Sequence, residues 1–278
     1  MTADDLSFLA QVVRRRSGLV LPASKAHLIE GRLSTVMRRF GFKTVDAVIK
    51  ELRHGGRDTL ARAVTEAMTT NESSFFRDRA AFEQFRDLVL PQLMESRAES
   101  KRLRIWSAAC AAGQEAYSIA MLLDDRKLVA QGWTIDLVAT DLSAEMIARA
   151  EEGIYSHFEV QRGLAIRRLV AHFTQEGGNW RINENLRRMV MFRQFNLLDS
   201  YGWLDDLDVV FCRNVLMYFD KKTKVSVLDK IAEILLPDGV LLLGHAETVT
   251  GLSDTFVPIS RAPSVYVKGK AQAQRLAG

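Results

Sequence analysis

Apolar positions recur along this chain at two spacings, and the change from one to the other near residue 102 divides it. Before that point the spacing is helical. Ile29, Leu33, Val36, Met37 and Phe40 mark one face of a segment that begins near Pro22 and is ended by Gly41. Residues 3 to 75 show several such stretches and no strand signal, which predicts a helical domain over 1–75. A polar cluster, TTNESSFFRDR, follows, and then a helix from about Asp78 to Glu95, interrupted or kinked at Pro91, so that 76–100 is a linker. From Arg102 short apolar runs alternate with helical stretches: LRIWSA, TIDLVAT ending at Asp141, MVMFRQF, LDVVFC and GVLLLGH. This predicts an α/β domain over 101–278, with a parallel sheet covered by helices on both faces. Between Gly153 and Phe195 the alternation is interrupted by a partly helical stretch and a turn at Gly177-Gly178 between alternating strands. The prediction there is an inserted antiparallel β-subdomain over about 154–195. A last run, SVYVKG, predicts a strand closing the sheet antiparallel.

The candidate chemistry lies where strands end. In Arg104 to Tyr117, RIWSAACAAGQEAY, a strand runs into a turn of very small residues, one glycine and a helix start carrying Glu115 and Tyr117. Such a turn lets backbone approach a ligand closely and aims helix N–H groups at it, although the same residues also suit an ordinary strand-to-helix corner. Asp141 ends the second strand beside it. A carboxylate there is the usual partner of ribose hydroxyls, while DLSAEM is equally readable as a helix cap. NLLD and CRNVLMYF each follow an apolar strand, so Asn196, Asn214 and Tyr218 should emerge at the same rim, with His245 and Glu247 at the end of a later strand. Asn71, Ser73 and Arg77, in the polar cluster, are read as groups held at a cleft.

Composition narrows the class. The 278 residues are 47% hydrophobic, enough for a substantial core, and the formal net charge is +4. Two acids precede the first short apolar run and no stretch approaches 18 uninterrupted apolar residues, so a soluble, cytoplasmic protein without membrane insertion is expected. Cys110 and Cys212 have no companions at metal-ligand spacing; both are expected to be reduced and buried, and no metal site is expected. From Arg14 to Lys43 eight Lys or Arg stand against one acid. That run is either a solvated face or a docking surface for an acidic partner, and without interleaved aromatic residues it does not favour single-stranded nucleic acid.

Taken together, TNESSFFRD, RIWSAACAAGQEAYSIAM, the strand ending in TDLS, FNLLD, CRNVLMYF and LLLGHAE resemble the CheR family of chemotaxis receptor methyltransferases, in order and approximate spacing over nearly the whole chain. The resemblance implies a Rossmann-like class I methyltransferase domain that binds S-adenosyl-L-methionine and releases S-adenosyl-L-homocysteine, joined to a small all-α N-terminal domain. It implies as substrate the glutamate side chains of the cytoplasmic methylation helices of chemoreceptors, converted to methyl esters, at membrane receptor arrays. Carried over residue by residue, Asn71, Ser73, Arg77, Glu115, Asp141, Asn196, Leu197, Arg213 and Asn214 match cofactor positions, and Ser73 stands where a threonine is common. The basic second helix, with Lys25, Arg32, Arg38 and Arg39, looks like the substrate-docking surface. The inserted segment looks like a subdomain that in some members binds a receptor's C-terminal pentapeptide. Here the turn between His172 and Ile182 is shorter than in those members, so action without the pentapeptide is expected.

The implied reaction needs no general base, because a glutamate with an ordinary pKa near 4.3 is already ionised at neutral pH. Arg77 or Arg213 would orient the incoming carboxylate and Tyr218 would line the transfer site. Methylation of an amino group on nucleic acid or protein is the first rival; it is weakened by RNVLMY, which lacks the proline pair common at such sites. A non-catalytic module that senses S-adenosylmethionine or docks on receptors is the alternative from another class. No nucleic-acid partner is expected, and the chain is taken as a monomer.

Overall fold

A computed structural model describes residues 2–22, 26–55, 57–269 and 272–274. The N-terminal part holds α1 (Ala3–Ser17), α2 (Ala26–Phe40), α3 (Val45–Arg53) and α4 (Asp58–Ala67). Thr2 caps α1 in a reciprocal box with Asp5, and Gly18, at φ 76°, ends it. The apolar face of α2 is buried as its spacing predicts: Ile29, Leu33 and Val36 join Leu9, Val13, Val48, Leu60 and Val64 in a core of their own, with Met37 and Phe40 packed against it.

The linker is one continuous helical rod, α5 (Arg79–Gln84), a π-helical turn at Phe85–Val89, and α6 (Leu90–Ser96). Pro91 explains the wide turn. Proline lacks the N–H that would bond four residues back and its ring crowds that carbonyl, so the helix loosens before it instead of breaking.

Next come β1 (Arg102–Ala108), α7 (Gln114–Asp125), β2 (Thr134–Asp141) and α8 (Ala144–Glu152). The insertion follows: β3 (Ile154–Ser156), α9 (His157–Gln161), α10 (Ile166–His172), β4 (Phe173–Glu176), β5 (Asn179–Ile182) and α11 (Glu184–Arg187). The chain closes with β6 (Val190–Gln194), β7 (Leu207–Cys212), α12 (Lys221–Ile234), β8 (Leu235–Leu243), β9 (Phe256–Ile259) and β10 (Ala262–Lys268). Seven strands form one sheet in the order β6-β2-β1-β7-β8-β10-β9, and β3-β5-β4 form a second, antiparallel one. The pairs from β6 to β8 are parallel, while β10 is antiparallel to both neighbours. One boundary needs correcting. Strand β6 is the edge of the main sheet, in register with β2 from Leu137↔Val190 to Asp141↔Gln194, so the insertion ends before it and not at 195.

The parallel strands read as continuous apolar runs because both faces are covered, and their period of two separates the cores. Leu103, Ile105, Val209, Phe211, Val240 and Leu242 face one core; Trp106, Ala108, Val210, Cys212, Leu241 and Leu243 face the other. Phe75 lies where the junction meets the insertion. Its ring lies edge-on to Tyr155 and Phe173 at 4.9 and 5.5 Å, and a side chain at Gly163 would fall 1.9 Å from its carbonyl, so the junction is pinned to the insertion. Among the described residues no helix is long and apolar enough to cross a membrane.

Candidate active site

The chain leaves β1 for β2 on one side and later returns to place β7 on the other, and ligands of such sheets sit where the order reverses, outside the strand carboxyl ends. A cleft of about 870 Å³, counting its open mouth, lies there. Its floor is the small-residue turn, in which Ala109, Ala111 and Gly113 all have positive φ. Asp141 braces that turn. Its carboxylate accepts the Ala111 N–H at 2.8 Å and the Ser143 N–H at 2.9 Å, which leaves its remaining lone pairs to the cleft it lines. Burial raises the Asp141 carboxyl above its ordinary range, and the backbone N–H groups of Ser143, Ala111 and Leu142 oppose the rise. The helix-cap role falls to Ser143, whose hydroxyl accepts from the Met146 N–H. Gly113 serves packing and not ligand approach: a Cβ there would sit 2.9 Å from that of Ala150 in α8.

Glu115, in the first turn of α7, points back under the strands. One carboxylate oxygen accepts from the Ser107 hydroxyl and the other from the Arg213 guanidinium, each at 2.8 Å. Arg213 is 4% exposed, donates also to the Arg77 carbonyl at 2.6 Å and to Asp78 at 3.2 Å, and stacks on Phe82. Burial raises the Glu115 carboxyl, while the Arg213 charge and the Ser107 hydroxyl draw it down. Held in this way, Arg213 is a strut between floor and junction, and its buried guanidinium is not placed to orient an incoming substrate. Asn214, at φ 58°, lines the cleft with its amide 3.4 Å from Asp78.

The roof comes from the N-terminal domain and the junction. Ser17, Leu19, Asn71, Ser73 and Arg77 face the floor, and Arg77 spends one guanidinium nitrogen on the Glu72 carbonyl at 2.6 Å. Asn196 ties roof to floor. Its amide donates to the Arg16 carbonyl at 2.6 Å and its oxygen accepts from the Leu198 N–H, so the side chain is committed to protein even though the residue lines the cleft with Leu197. Tyr218 stands at the mouth, and its carbonyl accepts from the Val20 N–H at 2.9 Å. All nine predicted cofactor residues and Tyr218 therefore meet around one space.

The basic helix divides. Arg38 and Arg39 are exposed on α2, whereas Arg32 donates to the Met68 carbonyl at 2.7 Å and to Thr70 at 3.1 Å, bracing the end of α4. Lys25 lies outside the described residues. The residue whose part sequence reading missed is Glu247. It binds the backbone of the turn that carries Asn214, and its place at a strand end was the one available signal.

The outward acceptor positions of Asp141, the Glu115 carboxylate at the cleft floor, a partly free guanidinium at Arg77 and the apolar walls of Leu142, Phe195 and Leu197 suit a ligand with a diol, a zwitterionic end and a flat apolar ring. The comparisons agree. A family profile described as "CheR methyltransferase, SAM binding domain" matches residues 71–264, and one described as "CheR methyltransferase, all-alpha domain" matches 4–69. The chain is 37% identical to "Chemotaxis protein methyltransferase Cher2" of Pseudomonas putida, over 93% of this chain and 95% of that one. It is also 37% identical to "Chemotaxis protein methyltransferase 1" of Pseudomonas aeruginosa (96% and 98%) and 36% identical to "Chemotaxis protein methyltransferase" of Vibrio parahaemolyticus (94% and 95%).

Proposed function

The chain belongs to the CheR methyltransferase family and is an S-adenosylmethionine-dependent methyltransferase, and from that premise we propose that it esterifies glutamate side chains on the cytoplasmic methylation helices of chemoreceptors, for adaptation in chemotaxis. The observation that carries the reading is the convergence of Asp141, Glu115 and Arg77 on one roofed cleft.

When bound there, S-adenosylmethionine supplies a methyl group on a positively charged sulfur. Asp141 would hold the ribose hydroxyls on the oxygen lone pairs that its bonds to the Ala111 and Ser143 N–H groups leave open, and those bonds fix its orientation beforehand. Glu115 would lie toward the amino-acid end, its charge balanced from below by Arg213. Arg77 would offer its uncommitted N–H groups to a carboxylate, and Leu197, Phe195 and Leu142 would enclose the ring. The nucleophile is ionised without help, so the protein aligns the reacting atoms and keeps water from a carboxylate that hydration would shield. Tyr218 lines that point of entry.

Arg38 and Arg39 meet the acidic receptor helices. The hairpin of β4 and β5 turns through Gly177 and Gly178 alone, with Glu176 opposite Asn179, and this short connection supports action without a receptor tail peptide. The test is transfer of labelled methyl to membranes containing chemoreceptors, with and without the receptors' last residues, followed by mild base. Base-labile label that persists after tail removal is expected; base-stable label would overturn the carboxylate assignment, and label that vanishes with the tail would overturn the independence.

A further inference from the structure

We propose that Glu247 is a positioning residue for the cofactor site, a buried carboxylate that sets the backbone of the Asn214 turn. It does not line the cleft. Beyond the end of β7 the chain turns sharply, Asn214 takes a left-handed conformation, and the N–H groups of Asn214, Val215 and Met217 point inward with no strand to pair with. Glu247, 33 residues further on, receives all three. One oxygen accepts from Asn214 at 2.7 Å and from Gly244 at 2.8 Å; the other accepts from Val215 at 2.9 Å and Met217 at 3.2 Å. Glu247 is 9% exposed, and its side-chain hydrogen bonds among the described residues all come from backbone N–H groups. Four N–H dipoles around one carboxylate make charge-assisted bonds and an anion nest built from the protein's own chain.

The clamp is fitted closely. A Cβ at Gly244 would lie 2.7 Å from the Glu247 carboxylate and 2.7 Å from the Asn214 amide, so the end of β8 has room for the carboxylate only because that residue is glycine. What the clamp holds is the cleft wall. Asn214 reaches Asp78 of the roof, its neighbour Arg213 carries the Glu115 pair, and Tyr218 follows one turn later. A carboxylate with four acceptor positions matches four donors; an amide of the same shape does not. In Glu247→Gln one oxygen becomes an NH2 group that confronts two N–H donors, and the turn must shift to relieve them.

The inference rests on the cofactor reading of the cleft, and the experiment separates the two. S-adenosylmethionine binding is measured by calorimetry on wild type, Glu247→Gln and Val267→Ala, the last a buried change on β10 chosen to lower melting temperature without touching the turn. Glu247→Gln is expected to weaken binding about tenfold or more, raising KM for S-adenosylmethionine while KM for receptor stays put, whereas Val267→Ala leaves affinity unchanged. In ligand-free wild type the amides of Asn214, Val215 and Met217 are expected to exchange with solvent as slowly as those of β1, a measurement that stands even where the glutamine variant does not fold. Rapid exchange at those amides, or a folded Glu247→Gln variant that binds as tightly as wild type, would overturn the clamp. Wild type that binds no S-adenosylmethionine would overturn the cofactor reading and the inference with it.

Discussion

Asp141 combines burial with function, and the two pull its titration in opposite directions. Its carboxyl is raised in the folded protein, so the stability linked to its proton is fully present below the unfolded value of 3.8 and is lost as pH rises through the raised folded value. Ligand binding has the other sign, since the ionised form is the better acceptor for ribose hydroxyls. Calorimetric titration of S-adenosylmethionine should therefore show affinity falling as pH drops through the raised value. Asp141→Asn should lose at least about tenfold at neutral pH, with the gap to wild type closing as pH falls. Arg213 and Glu115 form the other pair for which the single side chain decides. Arg213→Met leaves the Glu115 charge buried and unmatched, and is expected to cost about 3–5 kcal/mol in denaturant unfolding; adding Glu115→Gln should restore much of it. The identities at these positions were legible in the sequence. That Arg213 is a strut and Asn196 a tie to Arg16 was not, because each partner lies about a hundred residues or more away in the chain.

At the scale of elements, the site is a set of strand ends and the turns that leave them. The β1–α7 turn holds three left-handed residues, is tied to β2 through Ala111, and packs Gly113 against α8. Gly113→Ala places a methyl on that contact at φ 88°, and a loss of about 1–3 kcal/mol in unfolding free energy is expected. Helix α2 makes a different kind of prediction. Arg38 and Arg39 are exposed on it, Arg39 resting over the Phe40 ring, so reversing both charges should slow association with receptors at low salt, the deficit shrinking as salt rises, with S-adenosylmethionine affinity unchanged. Stopped-flow association across an ionic-strength series checks this. Strand β6 shows how far local pattern carries. VMFRQ reads as a strand wherever it is placed, and only its register with β2 assigns it to the main sheet and not to the insertion.

At the scale of the molecule, the N-terminal helices roof a site that the α/β domain floors. The two parts are joined by the Arg14–Asp220 ion pair, the Asn196 bond to the Arg16 carbonyl, the Val20 bond to the Tyr218 carbonyl and Gln194 to Glu66 at 3.0 Å. The cleft therefore depends on contacts that neither part makes alone. The features of short range are legible in the chain alone: helical and strand periods, the small-residue turn, carboxylates at strand ends, and a run of motifs specific enough to identify the family. Once the strands are placed, their residues divide between the two cores because neighbouring side chains must point to opposite faces. Which polar groups remain available is settled only on folding. A carboxylate or guanidinium is a ligand when its lone pairs or N–H groups face a cleft and a brace when they face the chain, and that depends on partners brought together by folding. Asp141 keeps acceptor positions open, Arg213 is spent inside, and Glu247, marked in the sequence only by its place at a strand end, gathers four backbone donors.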